Sequence, residues 1–195
     1  MDYVRYQNHL SQRFSDCFYS SQLDSKSWLI EKLRLYSDCR KFNNVHIFGG
    51  WYGVLATLLK DNFQILGDIT TIDIDPDCEE VVRRITTKED KINAVTCDMM
   101  KYVYNDTPEL VINTSCEHIN QMSYYRWWDN VPMGTWFVVQ SNNLEIGEHI
   151  RTASSLQEFE GQCGHENILY SGELDCGNFS RYMIIGIKDG YEIRV

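Results

Sequence analysis

"VHIFGGWYGVLATLL" occupies residues 45–59. It reads as an apolar run, two glycines, Trp51 and Tyr52, a third glycine at position 53, and a second apolar run. A short run closed by glycines predicts a strand, and the longer run after Gly53 predicts a helix. A strand, a glycine turn and a helix start form a corner where backbone can approach a ligand and free N–H groups can meet it. Trp51 is unusual in such a turn, which is ordinarily stripped of bulk. The segments around it decide whether the corner belongs to a ligand site.

Downstream, the pattern alternates. "ITTIDID" (69–75) is rich in β-branched residues and predicts a strand. "PDCEEVVRRITTK" predicts a helix with Pro76 in its first turn, Asp75 as cap, and Glu79 and Glu80 near its positive end. "INAVTCD" and "ELVINTS" read as the third and fourth strands, "QMSYYRWWDNV" as a helix, "GTWFVVQS" as the fifth strand and "SSLQEFEGQ" as a short helix. "NILYSGEL" and "RYMIIGIKD" read as two strands joined by the turn-rich "DCGNFS". That connection is too short for a parallel crossover, so the last pair is antiparallel. The alternation from residue 44 predicts an α/β architecture, a mostly parallel open sheet with helices on both faces. Upstream, "SKSWLIEKLRLYSD" (25–38) predicts a helix with Trp28, Leu29, Leu33 and Tyr36 on one face, preceded by a second helix of weaker periodicity.

Composition bounds the function classes. The chain has 195 residues, 43% hydrophobic and 24% charged, as expected of a soluble globular protein with a sizeable core. No apolar run is long enough to span a membrane, and the polar N-terminus does not resemble a secretory signal, so a cytoplasmic protein is expected. The formal net charge of -10 makes nonspecific nucleic-acid binding unfavourable. A narrow site for a small molecule or a single nucleotide remains compatible. The seven cysteines are scattered without a C-x-x-C pair, which argues against a disulfide framework or a zinc ribbon. Cys163, His165 and Cys176 are possible metal ligands, with loop cysteines as the plainer reading.

In an open α/β sheet, ligands bind beyond the carboxyl ends of the strands, near the point where strand order reverses. After the first strand stand Gly49, Gly50, Trp51, Tyr52 and Gly53. After the second stand Asp73, Ile74 and Asp75, with Asp73 lying 24 positions beyond Gly49, a spacing suited to an acid that accepts from ribose hydroxyls. After the third come Asp98, able to accept from an adenine amino group, and Met99, an apolar face for the ring. After the fourth comes Asn113-Thr114-Ser115-Cys116-Glu117-His118.

This order resembles the Rossmann-like class I methyltransferases that use S-adenosylmethionine (SAM), over residues 44 to about 190. Gly49 and Gly53 match the first and last glycines of that family's acid-x-Gly-x-Gly-x-Gly turn; Trp51 replaces the middle glycine and Ile47 the acid. Asp73 and Asp98 match its second- and third-strand acids, and "NTSCEH" stands where its catalytic motif falls. That string is neither Asn-Pro-Pro-aromatic nor Pro-Cys. The resemblance implies a three-layer α-β-α sandwich with strand order 3-2-1-4-5-7-6, a domain over 44–195 and an N-terminal helical extension over 1–43. It implies SAM as cofactor, held by Gly49, Gly50, Trp51, Tyr52, Gly53, Asp73, Ile74, Asp98, Met99 and Asn113. Asn113, Glu117 and His118 would face a small polar acceptor, His118 as base or Glu117 as partner of an ammonium group. Aminocarboxypropyl transfer, SAM cleavage, or SAM or nucleotide binding without catalysis remain alternatives, and oligomerisation is open. Glu148 and His149 could join His118 in a metal site like that of catechol-type methyltransferases. The acidic pairing of those enzymes is absent, so no metal is expected. Trp51 either packs the turn or walls a sulfonium pocket. Tyr124, Trp127 and Trp128 are core or lid, Asn142 and Asn143 shape a pocket or turn, and Cys116 is a small turn residue before it is a nucleophile.

Overall fold

The computed structural model describes residues 12–189. The helix expected ahead of residue 25 is represented by a helical stretch over 12–16, and its part before residue 12 lies outside the described residues. The first long helix, α1, runs Ser20–Tyr36. There follow β1 (Val45–Phe48), α2 (Val54–Asn62), β2 (Ile69–Asp73), α3 (Pro76–Ile85), β3 (Ile92–Thr96) and β4 (Leu110–Asn113). The chain continues through α4 (Gln121–Asn130), β5 (Trp136–Asn142), α5 (Leu156–Cys163), β6 (Ile168–Asp175) and β7 (Ser180–Ile187).

The seven strands form one sheet in the order β3-β2-β1-β4-β5-β7-β6, as the resemblance implied. Pairings from β3 across to β5 are parallel, whereas β7 runs antiparallel to both β5 and β6. The chain builds outward from β1 to β3, then returns to place β4 on the other side of β1. The gap between the carboxyl ends of β1 and β4 is therefore the switch point, where neighbouring connections diverge and leave a crevice.

Side-chain alternation sorts the core into two layers. Val45 and Ile47 of β1, Leu110 and Ile112 of β4, and Trp136 and Val138 of β5 pack with Trp28, Leu29 and Leu33 of α1 and Leu55 and Leu59 of α2. Phe48, Val111, Phe137 and Val139 face the other way, onto Tyr124 and Trp127 of α4 and Phe159 of α5. β1, β4 and β5 are buried along their whole lengths, including the polar His46, Asn113 and Gln140–Asn142, so their apolar residues do not alternate with exposed ones. Tyr124 and Trp127 are thus core rather than lid.

Helix α1 starts five residues before the expected Ser25, which lies inside the helix, buried, with its hydroxyl donating to Gln140 Oε1 at 3.1 Å. Tyr36, expected on the buried face, is 41% exposed; its ring instead lies 4.9 Å from that of Tyr170. Helix α3 starts as its sequence dictates: Asp75 caps it by accepting from the Asp77 N–H at 3.0 Å, and Pro76 follows. Among the described residues, no helix is long and apolar enough to cross a membrane.

Candidate functional site

A cavity of about 1040 Å³ opens at the switch point. Its walls come from the ends of four of the five parallel strands: Gly49, Gly50 and Trp51 after β1, Asp73, Ile74 and Asp75 after β2, Asp98, Met99 and Met100 beyond β3, and Thr114, Ser115, Glu117 and His118 after β4. The N-terminal segment closes one side with Arg13, Gln22 and Lys26, and β7 contributes Arg181.

The glycine turn is held from below. Gly49 adopts φ +64°, and a Cβ there would collide with the Ser115 side chain. A Cβ on Gly50 would fall 2.8 Å from Thr71 Cβ. Both glycines thus let the turn lie close to its neighbouring strands while facing the cavity. Trp51, in place of the family's middle glycine, still takes the left-handed φ of 48° that glycine adopts freely. Two contacts offset that strain. The Trp51 N–H donates to Asp73 Oδ2 at 3.0 Å, and the indole stacks on Tyr52 with ring centroids 5.5 Å apart. The other Asp73 oxygen accepts from the Asp75 N–H at 3.1 Å. Asp73 is half-buried, and each carboxylate oxygen keeps acceptor capacity for a ligand.

Three expected ligand residues do not line the cavity. Tyr52 is fully buried in a small cluster with Cys17 and Cys78. Gly53 also takes a positive φ, 77°, and opens α2 as its cap residue, against Val82. Asn113 is completely buried; its Oδ1 accepts from the Ser115 N–H at 3.0 Å and its Nδ2 reaches Met99 Sδ at 3.5 Å. It shapes the turn after β4 from behind. Asp98 faces the cavity but also caps the short turn Met99–Lys101, accepting from the Met100 N–H at 3.0 Å.

Beyond β4, Cys116–His118 form a single helical turn. Cys116 is fully buried, and burial pushes its thiol well above the ordinary range, which disfavours the thiolate. Glu117 is also buried, at 3% exposure. Its Oε1 accepts from Asn142 Nδ2 at 2.6 Å and lies 3.7 Å from Arg181 Nη1, while Oε2 has no protein partner. An unsatisfied buried carboxylate oxygen is costly, and in a cavity wall it marks a place for a ligand. His118 is exposed, and His149, from the loop after β5, comes to it with ring centroids 4.7 Å apart. Asn142 and Asn143, expected to shape a pocket or turn, lie behind this wall: Asn142 holds Glu117, and Asn143 Oδ1 accepts from the Ser180 N–H at 2.7 Å.

The loop that carries His149 is tied down. The Ile150 and Arg151 N–H groups both donate to the Glu117 carbonyl, at 2.9 and 3.1 Å. Arg151 is buried; its guanidinium donates to Gln121 Oε1, Cys116 O and Gln162 O and lies 4.0 Å from the Tyr124 ring centroid. One cation thus binds the Cys116–His118 turn to α4 and α5.

Lys26 and Arg181 put positive charge on the cavity wall, which Ile47 also lines. Burial, and Arg181 close by, lower the Lys26 ammonium to about 8. Neither residue was singled out in the sequence, where a lysine on a helix and an arginine opening a strand look like surface charges. Cys163, His165 and Cys176 do not assemble: Arg151 reaches Cys163, and His165 Nε2 pairs with the Tyr124 hydroxyl at 2.7 Å. Among the described residues, one group of His, Cys, Asp or Glu side chains has metal-ligand spacing, namely Glu117, His118 and His149.

No protein-family model and no curated protein matches the chain. Solved structures do match its fold. The N-methyltransferase NodS from Bradyrhizobium japonicum WM9, in complex with S-adenosyl-l-homocysteine (SAH), superposes with a TM-score of 0.69 at 10% identity, over 94% of this chain and 98% of that one. Magnesium protoporphyrin IX methyltransferase (ChlM) from Synechocystis PCC 6803, with bound SAM, gives 0.65 at 9% identity, over 93% and 85%. The [4+2]-cyclase SpnF gives 0.65 at 10% identity, over 83% and 80%. The chain has the class I methyltransferase fold, and that fold also serves a cyclase.

Proposed function

We propose that the protein is a SAM-dependent methyltransferase acting on a small polar acceptor. The observation that carries the reading is the convergence of four consecutive strand ends on one cavity, in a fold whose solved examples hold SAM or SAH. Shared fold is not shared function, so the residues must bear the argument.

They suit the cofactor. Gly49, Gly50 and Trp51 present backbone to it, and Asp73 offers acceptors to ribose hydroxyls. Ile74 and Met99 provide apolar surface for the adenine, with Asp98 at its edge. Lys26 and Arg181 would meet the methionine carboxylate, on the side where the family's acid has become Ile47. Tyr52, Gly53 and Asn113 keep the turns in shape. When bound, the cofactor supplies an electrophilic methyl carbon on a sulfonium, open to in-line attack.

The chain's own task is then to position the acceptor, which can be worth about 7–11 kcal/mol at its upper range. Glu117 and His118 mark the acceptor end. His118 Nδ1 lies 3.2 Å from the Glu148 carbonyl, which places the proton on Nδ1 and leaves the Nε2 lone pair to take the acceptor's proton. Glu117 Oε2 would orient an acceptor hydroxyl or ammonium. The acceptor is of small-molecule or single-nucleotide size, in keeping with the cavity.

Calorimetric titration with SAM, SAH and NAD tests the cofactor. Binding of the first two and not NAD supports the reading; no binding of either overturns it. A second reading keeps the pocket and changes the outcome, to aminocarboxypropyl transfer, SAM cleavage or binding without catalysis. Ile47 in place of the acid and the cyclase among the similar folds favour keeping it in view. Product analysis separates them: SAH with a methylated acceptor supports methyl transfer, methylthioadenosine supports aminocarboxypropyl transfer or cleavage, and unchanged SAM supports binding alone.

A further inference from the structure

We propose that Glu117, His118 and His149 bind one divalent first-row transition-metal ion at the acceptor end of the cavity. One ligand atom from each of the three side chains lies within 4.8 Å of the others. Atoms sharing an ion at about 2.0–2.2 Å stand roughly 3–3.5 Å apart, so small side-chain rotations complete the set. His118 is exposed and can make most of that adjustment.

Three features prepare the donors. His118 Nδ1 bonds the Glu148 carbonyl at 3.2 Å, and His149 Nδ1 bonds the Leu144 carbonyl at 2.6 Å. A carbonyl only accepts, so both Nδ1 atoms carry the proton and both Nε2 atoms keep a free lone pair. Backbone carbonyls fix the tautomer of metal-binding histidines in the same way. Glu117 supplies the third donor: Oε1 is engaged by Asn142, and Oε2 is buried without a partner. Finally, the two halves of the site are locked together before any ion arrives, because Ile150 and Arg151 donate to the Glu117 carbonyl. Arg181, 3.7 Å from Oε1, opposes a cation, but it holds the oxygen that the ion does not need.

Two imidazoles and one carboxylate select a borderline ion such as zinc, iron(II) or cobalt(II) over the harder magnesium and calcium. Three protein donors leave coordination positions facing the cavity, as catalytic rather than structural metal sites do. Of the acids near His118 and His149, the sequence pointed to Glu148; the structure leaves that residue exposed and outside the group, and brings Glu117 in. The lone pair that would serve His118 as a base is the one that would hold the ion. In the metal-bound protein, His118 is therefore a ligand, and the ion takes over the activation of the acceptor.

The test uses the full chain, stripped with chelator and titrated separately with Zn²⁺, Mn²⁺ and Co²⁺ by calorimetry, with visible absorption for cobalt. One equivalent should bind. His118→Ala, His149→Ala and Glu117→Gln should each weaken binding by at least about tenfold, the scale seen even for residues supporting a metal's ligands. Glu148→Ala should leave it unchanged. No saturable binding of any of the three ions, or binding indifferent to His149→Ala, would overturn the proposal. His149 lies in a surface loop, so its variant decides the matter should Glu117→Gln fail to fold. SAH titration of the same samples keeps the cofactor reading separate, since either ligand can bind while the other does not.

Discussion

The backbone N–H of Trp51 donates to the carboxylate of Asp73 across 3.0 Å, joining the turn after β1 to the end of β2. The acid that would hold a ribose also holds the turn. Asp73→Ala should therefore act twice. It should weaken SAH binding by roughly 1.5–3 kcal/mol, the worth of hydrogen bonds to a charged group, and lower the melting temperature by freeing the Trp51 and Asp75 N–H groups. Calorimetry and a thermal melt measure both. A folded variant with unchanged SAH affinity would remove Asp73 from the ligand site.

Trp51 separates backbone strain from side-chain packing. Trp51→Gly and Trp51→Ala both delete the indole, but only alanine retains the strain of a positive φ. The glycine variant should be the more stable of the two by about 1 kcal/mol, which corresponds to roughly 2–4 °C in a chain of this size. Equal melting temperatures would mean that the turn does not hold a left-handed Trp51 in solution.

Arg151→Ala should be among the most damaging single changes near the site. It leaves the Cys116 and Gln162 carbonyls without this donor inside the protein, and each bond to a charged group is worth about 1.5–3 kcal/mol. Denaturant unfolding should show a loss above about 2 kcal/mol, with metal and acceptor chemistry impaired in whatever still folds. A loss within about 0.5 kcal/mol, the range of ordinary surface changes, would show that the guanidinium is not the tie between these segments.

Lys26 gives the cavity a pH signature. Its ammonium is held to about 8 by burial and by Arg181, against an ordinary 10.5. As pH rises through 8 the site loses a positive charge, so affinity for the carboxylate-bearing SAH should fall between pH 7 and 9, and Lys26→Met should flatten that profile. A parent profile already flat across this window would take Lys26 out of carboxylate recognition. Stability moves the other way: between 8 and 10.5 the unfolded chain binds a proton that the folded one does not, so the folded state gains as pH rises.

His165 gives an acid signature. Burial first, then Arg151 and Lys188, depress its imidazole from 6.5 to about 3. The unfolded chain takes up a proton below 6.5 that the folded chain refuses, so stability falls as pH drops from 6.5 towards 3. His165→Gln should reduce the slope of stability against pH in that interval. An unaltered slope would show that other groups control acid unfolding.

Element order was legible because β1, β4 and β5 carry apolar residues on both faces and Asp75–Pro76 announces α3, whereas strand order followed only from the family resemblance. Of the cavity's walls, Gly49, Gly50, Asp73, Met99 and Glu117 were legible from their position at strand ends. Tyr52, Gly53 and Asn113 misled because strand-end position does not say whether a side chain faces the crevice or supports the turn behind it. Lys26, Arg181 and His149 were the hardest to place. Lys26 and Arg181 reach the cavity from α1 and β7, outside the run of strand ends that the glycine turn begins. His149 was visible, but its pairing with Glu117 rather than Glu148 depends on how the loop folds back onto the Glu117 carbonyl.

Arg181 reaches Glu117 because β7 runs against β5, with Arg181 opposite Asn142 in the ladder. An antiparallel strand delivers its first residues, not its last, to the edge where the parallel strands end. A slip of one position between β5 and β7 would turn Arg181 to the opposite face and leave a buried carboxylate without its cation. The same slip would displace Met183, Ile184 and Ile185 from their places in the core, so correct alignment of the final hairpin is at once core packing and charge neutralisation of the cavity.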